Sequence, residues 1–444
     1  MFSILDFGAA GDGLTLDSPA IQRAVDACAA NGGGTVYVPS GRYVCGTVHI
    51  KSHVHILIEK GAVLLGSKNL NDYDPREDNP SNSEYQDISH SYFHQSLFHA
   101  EGVEDIAITG FGEIDLQSVW AEDDPWYRAA KIIAFKECNH IVIRDLIMKN
   151  ATDLAVYIAG CEYVTISGLH IISHIDGVSP DCCKNVTISD CIIDSSDDAI
   201  VPKCSYTLGR FKDMENLTIS NCVLRSNAAA IKFGTETNSA FRNITITGCT
   251  IYDTQLNGIA IFTADGAIVE GLSISNITMR NVGNPIIIQI LNRGRGPKPQ
   301  CQKIGQIKNV SISNVVITGP YPETFQATMA QFLSTFKAND LTLKGIHHPL
   351  VIAGQPDSPV KNVSLSNLIF SAHGGGTEED RNIQMQEVRD GYPGSDLFGD
   401  KYPIFGLFAM NADNLRLYNV EFTTELEDKR DDILLMNVTN YKRV

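Results

Sequence analysis

Positive charge is what this 444-residue chain is short of: 35 lysines and arginines stand against 52 aspartates and glutamates, a formal net charge of -17. Nucleic-acid binding rests on basic side chains that neutralise phosphates, so no nucleic-acid partner is expected. Long apolar runs are missing too. With 43% hydrophobic and 20% charged residues the composition is that of a well-packed globular protein, and neither disorder nor a membrane partner is expected. No basic segment followed by an apolar run stands ahead of the first strand signal, SILDFGAAGDG from Ser3. The 11 cysteines are an odd number and include no C-x-x-C or other metal-like spacing. They read as reduced thiols, and the compartment as cytoplasmic.

What the chain does have is a repeat. VTISGLHI starts at Val164, VTISDCII at Val186, LTISNCVL at Leu217, ITITGCTI at Ile244, LSISNITM at Leu272, VSISNVVI at Val310 and VSLSNLIF at Val363. Weaker copies begin at Ile106, Ile141 and Leu415. Such recurrence predicts a parallel β-solenoid, one domain over residues 1–444. Its irregular spacing predicts short coils with loops inserted at 292–305, 319–340 and 371–404.

Each copy is apolar at its first, third, sixth and eighth positions, so the chain must bend at the fourth and fifth. The sixth position holds Leu169, Cys191, Cys222, Cys249, Ile277, Val315 and Leu368, which makes these cysteines interior thiols. Asn185, Asn216, Asn243, Asn309 and Asn362 share one register just ahead of the repeat. As a set they are expected to satisfy turn backbone from coil to coil. A second run follows several copies, AIVPK from Ala199, AIKFG from Ala230, GIAIFT from Gly258 and PIIIQI from Pro285, and reads as a further sheet. Residues from about 15 to 35 read as a helix capped by Asp17 or Ser18, with Ile21, Val25 and Cys28 on its apolar face. It suits a lid on the open end of a solenoid.

Asp176 follows one copy, and Asp197 and Asp198 occupy the equivalent turn of the next, 21 residues later. Stacked coils lie roughly 4.8 Å apart, so three carboxylates share one patch. Like charges that close raise at least one pKa, a cost met for acid–base chemistry or for a bound cation. Adjacent aspartates on a regular strand face opposite ways, so a turn at Ser195-Ser196 is needed for both to reach the patch. Asp181, in a Ser-Pro-Asp turn, reads as structural.

The stretches DGVSPDCCKNVTISDC from Asp176 and SSDDAIVPK from Ser195, with LDFGAAGDG, GGGTVYVPSGRY, LIEKGAVLLGS and GFGEIDLQSVW elsewhere, resemble glycoside hydrolase family 28, the polygalacturonase family. The resemblance implies an all-β, right-handed parallel β-helix with an N-terminal capping helix. It implies an inverting glycosidase without metal or cofactor, in which Asp197 is the general acid and Asp176 and Asp198 activate water. Lys203 matches the lysine often found after the paired aspartates. Inversion calls for acid and base roughly 6.5–9.5 Å apart, a gap that one coil of offset plus side-chain reach is expected to supply.

The chain also departs from that pattern. His174-Ile175 stands for Asn-Thr, Ala228-Ala229-Ala230 for Gly-His-Gly, and Ala260-Ile261-Phe262 for Arg-Ile-Lys. The missing basic groups are associated with gripping a galacturonate carboxylate, so a pectin-related oligosaccharide other than polygalacturonate is the expected partner. Lys232, Glu236, Arg293 and Arg295 are candidates for substrate contact in their place, Lys232 facing outward because Ile231 and Phe233 face in. His174 is a candidate to orient Asp176. Trp120 and Tyr127 can stack on a sugar or pack beneath a loop. Long loops that close one end of a cleft favour exo attack. Two readings stay open beside hydrolysis: a lyase or transglycosylase, a lyase using Lys203, Lys232 or an arginine as base with Ca²⁺ on the aspartates, and a non-catalytic carbohydrate-binding solenoid. Nothing in the pattern sets an oligomeric state.

Overall fold

The computed structural model describes residues 1–78, 82–121, 128–327 and 341–444. The ten repeat copies stack without slippage. Ile106 pairs with Ile141, and the column continues through Val164, Val186, Leu217, Ile244, Leu272, Val310, Val363 and Leu415, all in parallel strands. All ten side chains are buried. A one-residue slip would turn this whole apolar column to solvent, and that cost fixes the register.

The parity change inside each copy has a backbone cause. In nine of the ten copies the fifth residue, Asp145, Gly168, Asp190, Asn221, Gly248, Asn276, Asn314, Asn367 or Asn419, is left-handed with φ between 49° and 66°, and in the first it is Gly110 at 134°. Only Gly, Asn and Asp enter that region at small cost. The bend carries the chain into a second sheet, which includes His170–Ser173, Ile192–Ser195 and Val223–Ser226. A third sheet stacks Val48–His49, Ser96–Glu101, Lys131–Lys136, Val156–Ala159 and Val178–Asp181. It continues through isolated bridges at Ile200 to Ala229–Phe233. AIVPK is therefore not the full strand expected, because Pro202 has no N–H to donate to a ladder. The result is a right-handed parallel β-helix.

The asparagine column is a ladder of side chains rather than a set of backbone caps. Asn216 donates to Asn185, Asn243 to Asn216, Asn362 to Asn309 and Asn414 to Asn362, each at 2.8 Å. All eleven cysteines are buried free thiols.

The lid helix spans Ser18–Ala30 and buries Ala20, Ile21, Ala24, Val25 and Cys28. Asp17 is the N-cap residue, but its side chain makes no capping bond. The Asp17 carboxylate instead accepts the Ala10 and Gly11 N–H groups at 2.6 and 3.1 Å, and Ser18 Oγ accepts Gly46 N–H. Two of the expected loops carry secondary structure among their described residues. Thr324–Ala327 and Leu341–Lys344 pair as an antiparallel hairpin, and 371–404 contains a helical turn, Glu378–Arg381, closed by a Thr377–Asp380 capping box.

Candidate active site

The catalytic candidates meet where the chain leaves the second sheet. Ser195 Oγ and Ser226 Oγ both donate to the Asp197 carbonyl, at 2.8 and 2.5 Å, fixing the turn that the two adjacent aspartates need. Val178 lies against Ile200, so the residue stacked on Asp176 is Asp198, not Asp197 as the 21-residue spacing suggests. Asp198 N–H donates to Asp176 Oδ1 at 3.3 Å, and Ala229 N–H donates to Asp198 Oδ1 at 3.0 Å one coil further on. Each carboxylate is held by the amide of the coil above.

One oxygen from each of Asp176, Asp197 and Asp198 lies within 4.8 Å of the others. That is closer than the roughly 6.5–9.5 Å expected of an inverting acid–base pair, because a single coil step sets the distance. It suits a water bridging two carboxylates. Asp176 and Asp198 are buried and Asp197 is the most open. Burial and the Asp198 charge push the Asp197 carboxyl up to about 6. Burial, Asp197 and Asp198 push Asp176 well above the ordinary range. A proton on this cluster belongs to the coupled group rather than to one residue; Asp197 is its least buried member.

Lys232 leaves the outer face of Ala229–Phe233 as expected and bonds Asp198 Oδ2 at 2.7 Å, with Tyr392 Oη at 3.4 Å. Its ammonium compensates the cluster. Lys203 does not bond the aspartates; it is buried and gives its ammonium to Glu236 Oε2 at 2.5 Å. Glu236 is thereby engaged from the inside, with Arg295 at 3.5 Å and the Asp87 N–H at 3.2 Å on its other oxygen. Arg295 also pairs with Asp87 at 2.9 Å, and Arg293 is locked to Asp265 and the Thr235 carbonyl. The candidates for substrate contact are thus mostly bound to one another.

His174 does not orient Asp176: it bonds Ser118 Oγ at 2.7 Å, and its ring lies 5.2 Å from Trp120. Trp120 has this ring neighbour, and Tyr127 lies outside the described residues. The histidine that does approach Asp176 is His90, with Nε2 3.9 Å from Oδ2. Burial and the Lys203 charge hold it well below the usual histidine range, hence neutral. His90, Asp87 and Tyr392 carry no repeat signal, since they come from connecting segments, and only the length of the 371–404 insertion hinted at Tyr392. Asp181 is structural as expected, accepting Ser205 N–H and Oγ at 2.9 and 2.5 Å.

The fold and the cluster define a parallel β-helix protein with three converging carboxylates on its outer wall. Residues 28–371 match the profile of glycosyl hydrolases family 28, and the chain belongs to that family of glycosidases. It is 27% identical to a probable polygalacturonase of Vitis vinifera over 63% of this chain and 61% of that protein. It is 23% identical to an exo-poly-alpha-D-galacturonosidase of Dickeya chrysanthemi, over 83% of this chain and 71% of that one. The structure of a hyperthermoactive exopolygalacturonase from Thermotoga maritima superposes with a TM-score of 0.71 and 18% identity, covering 95% of this chain and 91% of that one.

Proposed function

We propose that this protein is an exo-acting, inverting glycosidase of a pectin-related oligosaccharide, with Asp197 as general acid and Asp176 and Asp198 as the pair that activates water. The observation that carries the reading is the convergence of three carboxylates within 4.8 Å beside a single compensating lysine. Asp197, the open member with a raised pKa, protonates the leaving oxygen. Two carboxylate oxygens within 4.8 Å of each other leave room for one water at about 2.8 Å from each, and a water so held attacks the anomeric carbon.

A separation within 4.8 Å does not by itself select inversion. The paired bases favour it, because water rather than a protein carboxylate then becomes the nucleophile. The lyase reading places a divalent cation on the same oxygens, where the Lys232 ammonium already bonds Asp198. That arrangement weighs against it.

Altered specificity rests on what lies beyond Lys232. Ala260 pairs with Lys232 in register, and Ile287 stacks on Ala260. Ala260, Phe262, Ile287 and Val351 form an outer apolar cluster with Met385, Tyr402 and Phe408. The 371–404 segment therefore packs over the coils where the family carries its Arg-x-Lys groups, closing that side as an exo enzyme requires. The nearby cations Lys203, Arg293 and Arg295 are each paired with a carboxylate of the protein. A neutral or differently substituted terminal sugar suits this site better than a galacturonate. The unpaired buried thiols support a reducing, cytoplasmic setting for it.

The test is a screen of the purified protein and Asp197→Asn against pectin-derived and neutral oligosaccharides, with products followed by mass spectrometry and the anomer by NMR. Release of one saturated terminal sugar, inverted at its anomeric carbon and absent with the variant, is the expected result. Unsaturated products, or a variant as active as wild type, would overturn it.

A further inference from the structure

The coils below the aspartates hold a second group of chemistry-bearing side chains. His49 and His99 are register partners on neighbouring strands of the third sheet, so they leave the same outer face one strand spacing apart. Phe98 and Ala100, flanking His99, face the core. His94 arrives from the segment ahead of that strand, its ring centroid 4.8 Å from that of His99 and inclined at 70°. The His49 ring lies 5.4 Å from His99 at 88°. One donor atom from each of His94, His99 and Glu101 lies within 4.8 Å of the others.

The second observation concerns His99 alone. It is 5% exposed, and its Nδ1 is buried without a hydrogen-bond partner. Leaving such a group unsatisfied is destabilising. Neither the carboxylate site nor the core accounts for it.

We propose that His94, His99 and Glu101 form a binding site for a divalent transition metal, zinc being the ion that suits two imidazoles and a carboxylate. An outer carboxylate lies beside one ligand: Glu77 Oε2 is 3.9 Å from His94 Nδ1, on the side that leaves Nε2 for the metal. Lys136 Nζ takes Glu101 Oε1 at 2.7 Å, so the second carboxylate oxygen is the ligand. Zinc bonds of about 2.0–2.1 Å set neighbouring donors roughly 3.3 Å apart, so loading draws the cluster in by about 1.5 Å. The His94 and Glu101 side chains are 38% and 43% exposed and have the freedom to rotate that far.

The site is separate from the carboxylate cluster. Its strand, Ser96–Glu101, is three steps in the sheet from Val178–Asp181, roughly 14 Å away. His94 ends the segment that brings His90 to Asp176 and Asp87 to Glu236. A metal here pins that segment to the solenoid wall.

The test uses the full chain, stripped with a chelator and titrated with zinc chloride by calorimetry. Bound zinc is counted by mass spectrometry after dialysis, and cobalt(II) absorption reports the coordination geometry. One zinc per chain is expected for wild type and for Asp197→Asn alike, with a rise in Tm on loading. His94→Ala and Glu101→Gln, both at half-exposed positions that leave the core intact, should lose about tenfold or more in affinity together with the Tm response. A wild type that retains no zinc would overturn the proposal. So would either variant binding as wild type does, or loss of the zinc on Asp197→Asn, which would move the metal to the carboxylate cluster.

Discussion

Asp198 sits on Asp176, its amide donating to the Asp176 carboxylate at 3.3 Å while its own carboxylate receives the Ala229 amide at 3.0 Å. The two bases of the proposed site are thus held by the same ladder that builds the fold. Asp197, one residue earlier, is the member outside that ladder and the least buried of the three.

Removing the Asp197 charge should separate activity from stability. Its folded-state pKa of about 6 lies above the ordinary 3.8, so ionising it opposes folding. The cost is absent below pH 3.8, grows between the two values and is complete above about 6. Asp197→Asn should therefore lower kcat by about 10²–10⁴ and leave stability at pH 7 equal or raised by on the order of 1–3 kcal/mol. At pH 4 that gain should vanish. Denaturant titrations at both pH values check it; a variant destabilised at pH 7 would contradict the assignment.

Lys232 sets where the acid titrates. Its charge opposes the rise of the Asp197 pKa, so with Asp197 as the general acid kcat/KM should fall above about pH 6 in wild type. In Lys232→Met that alkaline limb should move to higher pH while kcat drops. A pH–rate profile of both proteins decides this, and an unmoved limb would remove Asp197 from the acid role.

The solenoid was legible in the sequence because each coil repeats one interior pattern, Val164 and Ile166 then Leu169 and Ile171, and the left-handed corner admits few residue types besides Gly, Asn and Asp. The same repetition exposed the aspartates. It could not give their exact pairing, since the 22-residue register of Val178 on Ile200 appears only once the strands are aligned. His90 was not legible at all, and Tyr392 only through the length of its insertion. They reach the site through loops whose course depends on tertiary packing, as when Met385 and Tyr402 settle against Phe262. His174 misled for the related reason that nearness in sequence to Asp176 does not put two side chains on one face: its ring turns to Ser118.

The asparagine ladder makes a test at the surface. Asn243 has φ 58° and donates to Asn216. Asn243→Ala loses that bond and puts an alanine in the left-handed region, for a combined cost of about 1–3 kcal/mol. Asn243→Gly keeps the backbone and should cost less than the alanine variant. Chemical denaturation ranks the two; equal losses would show that the side-chain bond, not the corner, carries the effect.

The buried Lys203–Glu236 pair should behave differently from an exposed ion pair. Both side chains are nearly inaccessible, and Lys203 Nζ lies 2.5 Å from Glu236 Oε2. Lys203→Met strands a buried carboxylate, which Arg295 at 3.5 Å only partly compensates. The loss should be about 3–5 kcal/mol, and Lys203→Met combined with Glu236→Gln should recover much of it because the uncompensated charge is gone. The cycle, measured by urea unfolding, separates stability from function: if Glu236 also contacts substrate, the double variant refolds but keeps a raised KM. Should the single variant lose less than about 1 kcal/mol, the pair would be no stronger than one at the surface. Its place beneath the aspartates would then need another explanation.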